Sequence, residues 1–385
     1  MLVMFYSPLS LRFGGGFEHW VLELIPRIKK YGISSIVVTT KFTAGDIERI
    51  SADDIKEIIN KADSQYFELP YTFSLPIGHS PILNLKELKK IESILRKCDL
   101  IYFANAYAFH DLIIYFLKRQ FQKTVISGHH ATLFSDTLFS NTYTKTIRRN
   151  LLKKFDAFHV LNNQDRRTLQ KWGLQNIYQI PIGIDTEKFS PSYIERRNTK
   201  FRCLFIGRLT SQKGIDILCN SINIINKKDY LKDKIEFWII GSGPLKFLVY
   251  NLAKRYSNIK YVERVPDNIL PEIYRECDIF VMPSRRETFG ITALEAQASG
   301  LPVIASNIAG PSDIVIDEVT GSLIQKESPE AIVFAIKKYY NLWLNEYDKY
   351  KQMQLLARKN VLDNYDWKVV IPRIRDMFFS VMKVR

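Results

Sequence analysis

No stretch of the 385-residue chain approaches the ~20 consecutive apolar residues that a membrane-spanning helix needs. The four cysteines (Cys98, Cys203, Cys219, Cys277) lie far apart with no C-x-x-C spacing. Neither a disulfide framework nor a cysteine metal cluster is expected; buried free thiols in a reducing cytosol are the simple reading. No G-x-G-x-x-G occurs, so the dinucleotide fingerprint is absent. Helix-turn-helix, zinc-finger and RNA-recognition signatures are missing, which argues against a nucleic-acid partner. The first apolar run, residues 2–6, has neither a basic leader nor a cleavage site and reads as a strand, not a signal peptide. No internal repeat or low-complexity tract is evident.

What is present is an ordinary soluble composition, 46% hydrophobic and 25% charged, with length enough for two α/β domains. Short apolar runs at 2–6, 35–39, 99–104, 123–127 and 156–161 alternate with helical stretches. A second series lies near 201–206, 235–240, 259–262, 278–282 and 302–305. This is the pattern of parallel sheets with helices on both faces. A Pro/Gly stretch at 181–191 marks the boundary, and after Ser328 helices are expected at 329–342, about 345–362 and 367–383.

The chemistry concentrates at three strand ends. In the second half, strand 278–282 runs into Ser284-Arg285-Arg286-Glu287-Thr288-Phe289-Gly290-Ile291-Thr292-Ala293-Leu294-Glu295. Glu287 precedes a helix and Glu295 lies inside it, with Gly300 as its stop. A helix start offers unpaired N–H groups to a phosphate, and a carboxylate within the helix can accept from a ribose. The alternative for two isolated glutamates is an N-capped helix with solvated acids. Strand 201–206 leads into a polar turn flanked by Arg208 and Lys213, two cations placed to neutralise a diphosphate. Near the start, Gly14-Gly15-Gly16 precedes a helix from about Phe17 to Tyr31; consecutive glycines permit close backbone approach to a ligand, or simply form a loop.

With these stations in order, the chain resembles the family 4 glycosyltransferases of the GT-B fold over nearly its whole length. The resemblance rests on Gly14 to Gly16 with Glu18, on Ile180-Pro181-Ile182-Gly183-Ile184-Asp185-Thr186-Glu187-Lys188-Phe189-Ser190-Pro191, and on Arg208 with Lys213-Gly214. It continues through Gly241-Ser242-Gly243-Pro244, Val265-Pro266-Asp267, Met282-Pro283-Ser284, the two glutamates, Gly300-Leu301-Pro302 and Thr320-Gly321. Three positions depart from the family pattern: Glu263 and Thr288 where glycine is common, and Asp313 where glutamate is.

The resemblance implies two Rossmann-like domains facing across a cleft, with the last helix crossing back to the first. The expected bounds are 1–185 plus about 365–385 for the acceptor domain and 186–364 for the donor domain. It implies a metal-independent, retaining transfer of a sugar from a nucleoside diphosphate sugar, UDP- or GDP-linked, to a glycan or lipid-linked hydroxyl. Arg208, Lys213 and backbone amides near Gly290 would stabilise the leaving diphosphate, in place of the divalent cation that Asp-x-Asp enzymes use. Glu287 would hold the sugar, and the leaving phosphate would take the acceptor proton. Val265, Thr288, Phe289, Gly290, Ile291 and Glu295 would line the nucleotide. Gly15 and Gly16 would approach the diphosphate from the other domain, so that catalysis requires closure.

Two further readings concern the first half. His129 and His130 come after strand 124–127; the resemblance places His129 near the transferred sugar, whereas a strand-end histidine can also serve a neighbouring carbonyl. The net charge is +15, and residues 101–171 hold eleven Lys or Arg against four Asp or Glu. Within them, 145–155 reads as a helix with Ile147, Leu151, Leu152 and Phe155 on one face and Lys145, Arg148, Arg149, Lys153 and Lys154 beside it. Such a helix either meets an anionic membrane or packs on its own sheet with solvated charges. The expected protein is therefore a cytoplasmic glycosyltransferase, with a peripheral position at the inner membrane face as an option and no metal or further cofactor. A sugar-nucleotide-binding protein without transfer, and a basic membrane-associated scaffold, are the alternatives.

Overall fold

The computed structural model describes residues 1–43, 48–74, 81–104, 108–131, 133, 138–192, 199–228 and 231–383. The chain divides into two units: Met1–Ile182 with Val370–Arg385, and Gly183–Val369.

The first unit holds a seven-stranded parallel sheet. Its spatial order is Gln65–Leu69, Ser34–Thr40, Leu2–Ser7, Leu100–Ala104, Thr124–His129, Ala157–Val160, Ile177–Gln179. Leu100–Ala104 and Thr124–His129 are buried at every position and Leu2–Ser7 from its second residue on. Uninterrupted burial, without alternation, requires cover on both sheet faces, and the intervening helices provide it. The final helix, Trp367–Lys383, contributes to this unit: Phe378 meets the rings of Phe5 and Tyr102, with centroids 6.2 Å apart in each case.

The second unit repeats the scheme with six parallel strands, ordered Ile259–Val262, Ile235–Ile240, Phe201–Ile206, Ile279–Met282, Val303–Ser306, Gly321–Ile324. Its core joins Phe201, Phe205, Phe237, Ile279 and Val281 to Tyr339 and Trp343 of helix Pro329–Asn345. In each sheet the first strand in sequence sits centrally and the chain then returns to its other side. That reversal makes a switch point, where connections from two adjacent strands diverge and leave a crevice beyond the carboxyl ends. In the second unit it falls between Phe201–Ile206 and Ile279–Met282.

The opening residues of this second unit are fastened to its end. Arg358 of helix Tyr347–Asn364 donates to the carbonyls of Thr186, Phe189 and Ala298 at 2.7–2.8 Å. A Cβ on Gly183 would stand 2.4 Å from the Trp367 ring, so only glycine fits this contact.

The basic segment corrects an expectation. Helix Leu138–Tyr143 passes through a π-helical stretch, Thr144–Arg148, into Arg149–Leu152. A π-turn holds more residues than an α-turn and rotates the residues after it about the helix axis. Ile147, expected on the packed face, is 53% exposed. Arg148, expected outside, is buried with Nε 3.4 Å from Asp111 Oδ2, because a buried carboxylate needs a counter-charge. Lys145, Lys153 and Lys154 are exposed and Arg149 is half-buried.

Candidate functional site

In the second unit, the connections after both switch-point strands carry the singled-out side chains. After Phe201–Ile206 the chain forms a 3₁₀ turn, Ser211–Lys213, closed by Gly214 at φ +69°. A Cβ at Gly214 would lie 1.9 Å from the Pro283 carbonyl oxygen. The absence of a side chain therefore lets this turn touch the segment after Ile279–Met282. Lys213 Nζ consequently stands 2.5 Å from Glu287 Oε2, and both side chains are only partly exposed, 21% and 14%. Glu287 Oε1 is committed to no described residue. Arg208 is exposed, and its side chain makes no hydrogen bond or ion pair with any described residue. The connections after the two switch-point strands thus carry a preformed cation–carboxylate pair and a second cation with no partner among the described residues.

Helix Ile291–Ala298 starts at Gly290, whose φ of +106° re-aims the chain. The amides of Ala293 and Leu294 reach back to the Gly290 carbonyl, while the first amides of the helix have no intrahelical acceptor. Thr288 and Ile291 are half-buried, and so is Val265. Phe289 turns its ring inward against Tyr365 and is 3% exposed, so its backbone is the part left to meet a ligand. Glu295 is half-buried. The hydroxyl of buried Tyr274 donates to its Oε2 at 2.7 Å, and Oε1 is uncommitted among the described residues. Burial pushes the Glu295 carboxyl up to about 7, against the lowering effects of Tyr274 and Lys188. Glu263, one of the departures from the family pattern, is exposed and paired with Lys246 at 3.0 Å.

Sequence reasoning missed the clamp around these turns. Arg285 donates to both carboxylate oxygens of Asp216 (2.8 and 2.7 Å), to the Ser211 carbonyl (2.6 Å) and to Glu327 (2.7 Å). Arg285 lies within the recognised motifs and Asp216 two residues beyond Gly214. Nothing in the spacing pairs residues so far apart in the chain.

In the first unit, Gly15 caps helix Gly16–Ile28, and its amide donates to Glu18 Oε2 at 2.9 Å. Glu18 is 2% exposed, and burial raises its carboxyl to about 7, opposed by its own and Gly15's N–H and by Arg49. Gly16 is exposed. His129 closes strand Thr124–His129 with its ring buried near Phe158 and Nε2 3.4 Å from Ser127 Oγ. His130 instead lies on Trp20 (4.5 Å between centroids) and Phe17 of the glycine-capped helix. Of the two, His129 is the more enclosed. His130 belongs to a relay whose protons can be assigned. The Ile180 carbonyl accepts from His159 Nε2 (2.8 Å), which leaves His159 Nδ1 to accept from Tyr102 (2.6 Å). The Tyr102 oxygen is then free to accept from His130 Nε2 (2.7 Å). Burial, then neighbouring charge, holds His129 and His130 well below the usual histidine range, so both rings are neutral. A separate cavity of about 590 Å³, bordered by Phe155, Trp172 and Tyr178, lies at the amino ends of these strands and contains none of the candidate catalytic or nucleotide-binding residues, although Lys153 and Phe155 of the basic segment line it.

Among the described residues no helix is long and apolar enough to cross a membrane, and no group of three or more His, Cys, Asp or Glu is arranged to hold a metal ion. Comparison with known proteins identifies two families in succession. Residues 14–188 match Glycosyltransferase Family 4 and residues 187–359 match Glycosyl transferases group 1. The capsular polysaccharide biosynthesis glycosyltransferase CapM of Staphylococcus aureus is 27% identical over 228 residues, 58% of each chain. A D-inositol 3-phosphate glycosyltransferase of Paenarthrobacter aurescens is 32% identical over 180 residues, 44% of each. The chain spans about half the length of the curated relatives it matches. Among solved structures, a glycosyltransferase from Rickettsia africae superposes with TM-score 0.77 at 19% identity, covering 100% of this chain and 99% of that one. HepE of Anabaena, solved with UDP and glucose, gives 0.75 at 15% identity, covering 98% and 99%. These likenesses show the GT-B fold. With the two family matches running end to end from residue 14 to residue 359, the chain belongs to the family 4 glycosyltransferases of group 1.

Proposed function

We infer that this protein transfers a sugar from a nucleoside diphosphate sugar to an acceptor hydroxyl, with retention at the anomeric carbon. The observation that carries this reading is the Lys213–Glu287 pair, 2.5 Å apart, at the switch point of the second sheet, with Arg208 on the same connection as Lys213. As the glycosidic bond lengthens, negative charge grows on the leaving diphosphate and positive charge on the sugar ring. Arg208, Lys213 and the first amides of helix Ile291–Ala298 meet the former. Glu287 orients sugar hydroxyls and favours the cationic ring. Together these residues supply the charge compensation that a divalent cation provides elsewhere. Glu295, held by Tyr274, accepts from the ribose through its uncommitted oxygen.

UDP bound to HepE supports a UDP-sugar as donor, with a GDP-sugar second. The name of CapM supports a glycan acceptor, and a lipid-linked one is the other option. Exposed Lys145, Lys153 and Lys154 with exposed Ile147 support a cytoplasmic protein that touches an anionic membrane face. The deciding experiment is thermal-shift screening against UDP-, GDP- and ADP-sugars, then donor turnover on the best of them. A ligand at 100 times its Kd adds about 2.7 kcal/mol. Stabilisation by none of the three would remove the donor reading. Stabilisation without turnover would leave a binding protein.

A further inference from the structure

Resting on that donor-site reading, we propose that Arg285 is a positioning residue: it clamps the two switch-point turns together and thereby sets Lys213 against Glu287. Four contacts tie the segments. The Arg285 amide donates to the Gln212 carbonyl at 2.8 Å. The Gln212 side chain returns a long contact to the Arg286 carbonyl at 3.4 Å. The Arg285 guanidinium grips Asp216 with both terminal nitrogens and the Ser211 carbonyl with one of them. Gly214 rests against the Pro283 backbone, in a contact that a Cβ would close to 1.9 Å. The remaining nitrogen, Nε, donates to Glu327 at 2.7 Å.

Lys213 lies between Gln212 and Gly214, and Glu287 lies two residues after Arg285. The clamp therefore brackets the pair on both strands of the contact. A lysine stem has four rotatable bonds and no preferred docking geometry of its own. What fixes Nζ at 2.5 Å from Glu287 is the position of the backbone beneath it. A fork-to-fork arginine–carboxylate pair is directional, whereas a lysine–carboxylate pair is not, so the first can set the geometry of the second. Four of the five N–H donors of Arg285 go to Asp216, Ser211 and Glu327, so its guanidinium serves the clamp first.

The test is a double-mutant cycle on the full chain. Arg285→Gln breaks the clamp from one side and Asp216→Asn from the other, with circular dichroism to verify folding of each. Turnover is monitored as nucleoside diphosphate release from whichever of the UDP-, GDP- or ADP-sugars stabilises the protein. Affinity for the matching bare diphosphate is measured by calorimetry. A displacement on the order of 1 Å at the reacting centre costs up to about 10²-fold. Either variant should therefore lose about 10- to 100-fold in kcat while diphosphate affinity changes less than about threefold. Adding Lys213→Ala to Arg285→Gln should cost far less than it costs in the wild type, because Arg285 acts through Lys213. Costs that multiply, or a kcat near wild type in both clamp variants alongside an inactive Lys213→Ala, overturn the proposal. Wild-type kcat in Lys213→Ala alone would instead remove the donor-site reading beneath it.

Discussion

Arg208 and Lys213 are expected to look alike in activity and unlike in stability, and the contrast comes from their surroundings. Arg208 is exposed, with no described partner for its side chain, so Arg208→Ala removes nothing that holds the free protein together. Substitutions of this kind stay within about 0.5 kcal/mol. Lys213 is paired at 2.5 Å with a glutamate that is only 14% exposed. An exposed pair contributes up to about 1 kcal/mol, and breaking a fully buried one costs about 3–5. The intermediate burial here places Lys213→Ala at about 1–2 kcal/mol. At about 2–4 °C per kcal/mol for a unit of this size, its transition should fall by several degrees. On the proposed donor site both variants remove one preorganised donor to a developing oxyanion, and each should lose about 10²–10³ in kcat/KM. Calorimetric melting together with donor turnover measures the two axes. Equal melting temperatures for the two variants would refute the stabilisation assigned to the Lys213–Glu287 pair, and wild-type turnover in either would show that the diphosphate is held elsewhere.

Four other outcomes are expected. Glu287→Gln should lower kcat with UDP affinity near wild type, whereas Glu295→Gln should weaken UDP binding; calorimetry showing the reverse would exchange their roles. The Glu295 carboxyl, raised to about 7, is mostly ionised at pH 8 and mostly protonated at pH 6. UDP affinity should accordingly fall up to about tenfold on acidification, and Glu295→Gln should flatten that profile. All six histidines belong to the first unit. Four of them (His110, His129, His130, His159) are held neutral, so the unfolded chain takes their protons first below pH 6.5, while Glu18 and Asp111, raised to about 7 and 6, bind protons early in the folded state. The unfolded first unit binds about two more protons near pH 5, so its melting temperature should drop between pH 6.5 and 5 while that of the second unit does not. Lys145, Lys153 and Lys154 changed together to Gln should reduce co-sedimentation with anionic but not neutral vesicles; no difference would leave solvated surface charge.

The central strands of both sheets were readable in the sequence, because strands buried on both faces form unbroken apolar runs. Of the four edge strands only Ile259–Val262 was. Gln65–Leu69 and Ile177–Gln179 are half-buried and mixed in composition, and Gly321–Ile324 begins on a glycine with no apolar lead. The Lys213–Glu287 contact could be expected only as two motifs that share a ligand. That they bind each other, through Gly214 on Pro283, depends on two strands becoming neighbours in the sheet. The basic stretch 145–155 misled for a local reason. Periodicity assumes 3.6 residues per turn, and one π-helical turn moves Ile147 outward and Arg148 inward. The histidine pair shows the same limit: alternation separates their directions, but only the fold shows that His130 faces Trp20.

The discontinuity of the first unit has a bearing on its synthesis. A chain emerging from the ribosome delivers all seven strands of that sheet, then the whole second unit, and only then the helix whose Phe378 covers Phe5 and Tyr102. The second unit is contiguous and can close as soon as it has been made. The first must wait with an apolar face uncovered for the time taken to translate nearly two hundred further residues. Full burial of its core therefore waits until the helix that carries Phe378 has been made. A nascent chain cut short within this helix keeps that face open and becomes a natural substrate for chaperones and proteases, whereas its second unit would already be folded.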